Sequence, residues 1–450
     1  MTTQPLEGFP APNFVLADPL IGITLGVTGQ QPRWTVTPWG SITPWGQPDP
    51  STLDWFVAAD DRWHVPSDEP TVRQSRIEGS PVVETRLRVP DGDAVQRVWA
   101  VPEGGGSVVV EFENESPKPF AVALAGPTPV TERPPADMEI QGIELPAGAI
   151  VMPVGHRSTV RVVLPTPHAA SPVGPAAIKN LAPHLAVVRG WTRVAEQASR
   201  LVLPDESLVD ALVAARCDLL LEGPVDGVED PIGFLLDVAE LVRCGDSGEA
   251  WLLDVVGPAE HAAKVAAKRS SSADVVADAL AGLAAVRIVA AAARDDRATG
   301  DVDRTIARVL DKRSDLHDAA HAGVVTSFAD LRRTSSVGRF VRSVERRVAD
   351  GGRLLTGGMP TAWLGNNFEV HGLPTSPASS VSFAVRWHGE RPAMLWEQEG
   401  GPVELSAPDL DPDWSTVEQS GETLWPAPRT ERPKRTSLSI TVDPDGGSFG

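Results

Sequence analysis

The sequence predicts a multidomain α+β protein: an N-terminal antiparallel β-sandwich, a central domain of helical hairpins, and a small C-terminal β-segment packing back on the first domain. Three observations predict it. Only seven of the 42 prolines fall between residues 171 and 350, and proline breaks helix interiors while suiting turns and strand edges, so the middle reads as helix. The 13 tryptophans divide the same way, with five between 34 and 63, another at 99, two in the middle, and five between 363 and 425. Near residue 175 the apolar period also changes from two to that of a helix. The expected units are therefore 1–170, 171–352 and 353–427, followed by a disordered tail over 428–450.

In the first unit, residues 82–89 alternate apolar and polar side chains after the first position, Pro90-Asp91-Gly92-Asp93 makes a turn, and 94–101 resumes the alternation. Gly104-Gly105-Gly106 then turns the chain into a strand over 107–113, and 114–119 turns it into another over 120–125. Further apolar runs at 139–145, 148–154 and 158–164 complete a set large enough for a sandwich.

The helical unit carries its own punctuation. Asp205 precedes a run ending near Leu221, and Asp230 with Pro231 at the first helical position opens a helix stopped by Gly245. Ser272 opens an Ala-rich helix that fades before Gly300, Asp301 starts the next, and Ser327 starts the last, which ends at Gly351-Gly352. With breaks at Pro258 and Ser314, the count is roughly seven to nine helices in stacked antiparallel hairpins. The C-terminal unit returns to strands at 381–387, 393–397 and 403–405, with another at 437–442 in the tail.

Charge narrows the function classes. Forty Lys and Arg stand against 60 Asp and Glu, a net charge of −20 that repels phosphate backbones and anionic lipid heads, so neither nucleic acid nor a membrane is an expected partner. Arg332-Arg333 and Arg346-Arg347 read as a solvated helix face. No Lys or Arg precedes Arg33, so a secretory leader is not expected, nor is a membrane span, the most apolar run being the Ala-rich one after Arg287. The expectation is a soluble cytoplasmic protein. Cys217 and Cys244 fall inside helical patterns as small apolar residues, which argues against disulfides and thiolate metal sites.

The strand meander with Pro81-Val82-Val83-Glu84-Thr85-Arg86 and Asp93-Ala94-Val95-Gln96-Arg97, the turn Glu113-Asn114-Glu115-Ser116-Pro117, and the helical hairpins after them resemble the N-terminal sandwich and α/α toroid of glucoamylase-like, six-hairpin glycosidase proteins of high-GC bacteria. The run Ser382-Phe383-Ala384-Val385-Arg386-Trp387-His388-Gly389-Glu390 resembles the start of a short β-segment that ends some such chains. The resemblance implies a partial toroid, because a full ring of hairpins needs more helices than 175–350 supplies. No stretch matches a catalytic motif of that family. The function so implied is that of a non-catalytic or degenerate relative of glycoside hydrolases that binds a glycan or a protein, or acts as a scaffold. The alternative is an active glycoside hydrolase using a carboxylate pair in a Trp-lined cleft.

Hydrolysis of that kind needs one carboxyl held protonated and one ionised. The acidic loop Glu222-Gly223-Pro224-Val225-Asp226-Gly227-Val228-Glu229-Asp230 offers Glu222, Glu229 and Asp230, although Asp230 before Pro231 is also what a helix cap looks like. Trp55, Asp60, Asp61, Trp63 and His64 combine indole planes with hydrogen-bonding groups, as a sugar pocket does, or seal the sandwich against the helices. Arg386, Trp387 and His388 either bind a carboxylate or sugar, or form an ion-pair network joining the C-terminal strands to the sandwich. His317 and His321 have two-ligand helical spacing without a third ligand, and Asp295, Asp296, Asp301 and Asp303 straddle Gly300, so no metal and no cofactor is expected.

Overall fold

A computed structural model describes residues 22–45, 51–137, 143–166, 171–312 and 336–428. It is a mixed α+β protein with five sheets among the described residues. Strands β1 (Ile23–Leu25), β2 (Trp34–Val36) and β3 (Ile42–Pro44) form a small antiparallel sheet. Next come β4 (Asp54–Ala58), β5 (Trp63–His64), β6 (Arg73–Arg76), β7 (Val83–Val89) and β8 (Gly92–Val101). A single turn α1 (Glu103–Gly106) leads into β9 (Ser107–Asn114), β10 (Phe120–Ala125), β11 (Val130–Thr131), β12 (Ile150–Val154) and β13 (Thr159–Leu164).

The expected meander is present over β7, β8 and β9, where Val83 pairs with Val98 and Val98 with Val110, which sets three apolar side chains abreast, whereas β10, expected to continue it, pairs with β4 and β12 instead. Gly104 and Gly105 take φ of 64° and 75° between β8 and β9, a conformation that costs a glycine little. Two sheets result, in the orders β12-β10-β4-β5 and β11-β13-β9-β8-β7-β6. Their apolar residues, Val57, Val122 and Met152 from one and Leu87, Val110 and Phe112 from the other, belong to one core. The expected strand at 139–145 is partly outside the described residues, and its described part, 143–145, is not a strand.

The helices are α2 (His184–Ala195), α3 (Glu206–Glu222), α4 (Pro231–Arg243), α5 (Gly248–Trp251), α6 (Val256–Ala267), α7 (Ala273–Ala292), α8 (Asp296–Lys312) and α9 (Val337–Val348). Two caps stand where the sequence puts them, with Asp205 accepting from Leu208 N and Asp230 from Gly233 N. Helix α8 begins at Asp296 instead of Asp301, because Asp295 Oδ1 already accepts the amide of Ala298 at 2.8 Å. The expected start at Ser327, the break at Ser314, the pair His317 and His321, Arg332-Arg333 and the strand at 437–442 lie outside the described residues. Helix α7 is the one helix among the described residues long and apolar enough to cross a membrane; it begins well before Arg287, is half buried, and packs on α4, α6 and α8. Helix α4 contacts α3, α6, α7 and α9, so the bundle is built around it.

The C-terminal strands are β15 (Ala349–Asp350), β16 (Arg353–Leu354), β17 (Phe368–Ser376), β18 (Ser379–His388), β19 (Arg391–Gly400), β20 (Leu405–Ala407), β21 (Asp411–Thr416) and β22 (Ser420–Leu424). Here the structure corrects the expected fold-back on the first domain. A short strand β14 (Arg200–Val202), between α2 and α3, pairs with β17 and becomes the edge of the sheet β14-β17-β18-β19-β22. The core under this sheet holds Leu212 and Leu219 of α3, Phe340 and Val344 of α9, and Phe383, Trp396 and Trp425, with nothing from the first thirteen strands. The C-terminal β-segment therefore docks on the helices. Its aromatics reach a core that its own strands are too few to build, and the unit boundary near 352 is crossed by β14.

Beneath that core lies a buried cluster of two arginines and two glutamates. Arg216 Nε donates to Glu240 at 2.6 Å and its Nη2 to Glu345 at 3.1 Å, while Arg243 donates to Glu240 at 2.6 Å and to Glu345 at 2.7 Å. Ser199 Oγ donates to Glu345, and its carbonyl accepts from Arg216. Although burial opposes it, Arg243 and Arg216 hold the Glu240 carboxyl below the usual carboxylate range. Helix α9 approaches α4 closely at Gly338, where a Cβ would stand 2.4 Å from the Leu236 carbonyl carbon.

Two outcomes are expected. Glu345→Gln leaves buried guanidinium charge uncompensated and should lower stability by about 3 to 5 kcal/mol, measured by urea denaturation. Gly338→Ala forces α9 away from α4 and should cost about 1 to 3 kcal/mol in the same assay, whereas Gly257→Ala, with open space at its Cβ, should not.

Candidate functional site

The carboxyl groups that burial perturbs most coherently meet where the N-terminal strands reach the helical bundle. Helix α3 places Asp218 and Glu222 one turn apart, and i, i+4 residues share a helix face. The helix ends at Gly223, with φ of 84°, followed by Pro224, which cannot continue it. Strands dock on this end: Arg33 of the β1–β2 hairpin donates to the Leu221 carbonyl at 2.9 Å, and Thr24 Oγ1 donates to Glu222 Oε1 at 2.7 Å. Arg76 of β6 reaches Asp218 at 2.6 Å. Asp237 of α4 faces the same place, accepting from Ser336 Oγ at 2.7 Å, Gly338 N at 2.6 Å and Val225 N at 3.0 Å.

Asp218, Glu222 and Asp237, with Val225 and Val337, line a recess of about 250 Å³. Burial raises the Asp218 carboxyl above the usual carboxylate range, against the attraction of Arg76. Burial likewise raises Asp237 despite its three donors. Glu222 stands at the mouth, open to solvent; desolvation by the surrounding chain raises its carboxyl, and the Thr24 hydroxyl opposes the shift. A carboxyl shifted upward keeps its proton to a higher pH than a free one, which is the direction a general acid requires. Asp218 and Asp237 are already occupied as acceptors, so Glu222 is the member most open to a ligand. No tryptophan lines the recess.

Other expected site residues are dispersed. Asp230 caps α4 and pairs with Arg339 at 2.8 Å, and Glu229 is exposed in the loop before it, so neither lines the recess. Trp55 is 2% exposed, packs on Phe112 and donates to the Trp39 carbonyl, so it cannot stack on a ligand. The pleat turns Trp55 and Val57 into the core and leaves Asp54, Phe56 and Ala58 on the other side. At the end of that hairpin His64 is bracketed by Asp61 at 3.1 Å and Glu69 at 3.0 Å, Arg62 also pairs with Glu69, and Asp60 pairs with Lys118. Trp63 stays partly exposed beside them. The seal between the strands and the helices is made by Trp99, which packs with Ile178, Leu181 and Val188 and donates to the Ala182 carbonyl.

Arg386, Trp387 and His388 sit on β18 in the C-terminal sheet, which has its own core. Arg386 pairs with Glu369 on the neighbouring strand β17, Trp387 Nε1 donates to the Asn366 carbonyl at 2.8 Å, and His388 is exposed. This network joins strands of one sheet, not that sheet to the N-terminal strands. The cysteines are buried and free, with burial pushing the Cys244 thiol up to about 12, so neither is a ready nucleophile. No cluster able to hold a metal occurs among the described residues.

Sequence reasoning missed Asp218 and Asp237, although each is a carboxylate set among apolar residues of a helix. Such a residue is expensive to bury and must be held by something.

The raised Glu222 carboxyl ties stability to pH. Its folded form binds a proton at higher pH than the unfolded chain, so its charged state weakens the fold above the folded pKa, and the penalty disappears below the unfolded value. Gln in its place can still accept from Thr24. Glu222→Gln should therefore melt at or above the wild-type temperature at pH 7.5, with the difference closing as the pH falls to 4, in a pH series of thermal melts.

No protein-family model matches this chain, and no curated protein is significantly similar to it.

Proposed function

We propose that this chain is a non-catalytic relative of six-hairpin glycosidase-like proteins, acting by binding a glycan or protein partner. The observation that carries the reading is the state of the junction carboxyls. Asp218 is committed to Arg76, and Asp237 to Ser336, Gly338 and Val225, so Glu222 stands without a free ionised partner. Glycoside hydrolysis needs two carboxyls free to act on opposite sides of one bond.

We take the two large N-terminal sheets as the halves of a sandwich, supported by their common core. For the helices, contact between sequential neighbours α6, α7 and α8 supports a shortened toroid, while the many contacts of α4 weigh against a ring. One observation favours the second reading, an active hydrolase: the raised, solvent-facing carboxyl of Glu222 beside a recess.

A hydrolysis screen against α- and β-linked oligosaccharides, run with thermal shifts, separates the two. We expect no release of reducing sugar. Release that disappears in Glu222→Gln would establish the hydrolase and overturn the proposal. A sugar-induced rise in melting temperature that Trp63→Ala abolishes would identify the partner as a glycan held at the β4–β5 hairpin.

A further inference from the structure

A second cleft, of about 230 Å³, opens between α4, α7, α9 and the turn joining β17 to β18. Most of its charges are directly paired. Glu240 and Glu345 are matched by Arg216 and Arg243, and Arg346 grips Asp350 through two bonds of 2.8 Å. Behind it, Arg339 is shared between Asp230 and Asp278. Arg342 is the cation of this group without a direct partner. It lines the cleft, is only partly open to solvent, and has no hydrogen bond or ion pair among the described residues. Burial brings its guanidinium down to about 10, Arg346 adds to the shift, and Asp350 and Asp278 oppose it. Thr375, on the opposite lip, has a buried hydroxyl without a partner.

An unpaired guanidinium is an expensive thing to withdraw from water, and an unpartnered hydroxyl in the wall of the same cleft adds to the cost. Both costs are relieved by one acceptor group between them. We propose that this cleft binds a small monocarboxylate with a short apolar body. The guanidinium fork matches a carboxylate bidentately, and Thr375 supplies a further donor after a turn about χ1. Ala284, Ile288, Pro374 and Pro377 give the body an apolar wall. The volume suits a ligand on the order of eight non-hydrogen atoms, at about 30 Å³ for each water displaced. A phosphate dianion is disfavoured, because a single guanidinium without a direct partner faces it while Asp350, Glu240 and Glu345 stand nearby. Nothing in this cleft depends on the glycosidase likeness.

The test is calorimetric titration of the full chain with 4-methylpentanoate, 4-methylpentanamide and inorganic phosphate, each to about 10 mM, a range that detects millimolar affinity. Saturable one-to-one binding of the carboxylate, with no binding of the amide or phosphate, is expected. Arg342→Met should weaken it at least about tenfold and Thr375→Val severalfold. Arg342→Met should also melt no lower than wild type, since it removes a largely buried charge that has no direct partner, and a lower melt would assign Arg342 to the fold and overturn the proposal. Binding of phosphate alone, binding of the amide as tightly as the acid, undiminished binding by Arg342→Met, or no heat with any probe would each overturn it as well.

Discussion

The rest of the helical architecture depends on the enclosed square of Arg216, Glu240, Arg243 and Glu345. It draws one residue from α3, two from α4 and one from α9, and it binds the carbonyls of Ala198 and Ser199 just ahead of β14. Four buried charges bear a desolvation cost that only tight mutual pairing offsets, so the cluster admits few other arrangements of the three helices. Fixing residues 198–199 also fixes the strand that follows them. That strand is the template on which β17 pairs, so the C-terminal sheet inherits its place from the polar interior of the bundle.

Local chemistry was legible in the sequence and long-range pairing was not. Asp205, and Asp230 with Pro231, announce their helices because capping is settled within four residues. The meander from β7 to β9 is equally local, each turn following directly on its strand. By contrast, β14 is three residues long inside a helical stretch, and its partner lies far along the chain at Val370. Nothing within its own window distinguishes it from a loop. Strand β17 was hidden for a related reason: its pairing with β18 slips between Val370 and Leu373 and again between Pro374 and Ser376, which breaks the alternation that marks a strand.

The site residues divide along the same line. An indole next to carboxylates suggests a sugar platform, yet the parity of β4 already assigns Trp55 to the face that carries Val57. The informative signal was the reverse one, charge within apolar helix. Arg216 and Asp218 flank Cys217 in α3, and Asp237 and Glu240 interrupt the apolar run of α4. Every one of these is held by a side-chain partner from another element. Recognising which partner required knowing that α3, α4 and α9 converge, and that information is tertiary.

Helices α4 and α9 separate two recesses of opposite character. Asp237 and Val337 face the carboxyl-lined one, while Glu240 and Gly338 border the one that holds Arg342. The contact at Gly338 leaves no slack between the helices, so a displacement of α9 that widens one recess must be accommodated at the other. Asp237 accepts the Gly338 amide and caps that same point, which ties the protonation of a carboxyl in the first recess to the helix that presents Arg342 in the second. A protonated Asp237 would be the weaker acceptor, so the charged carboxylate is the form that holds the start of α9 most firmly.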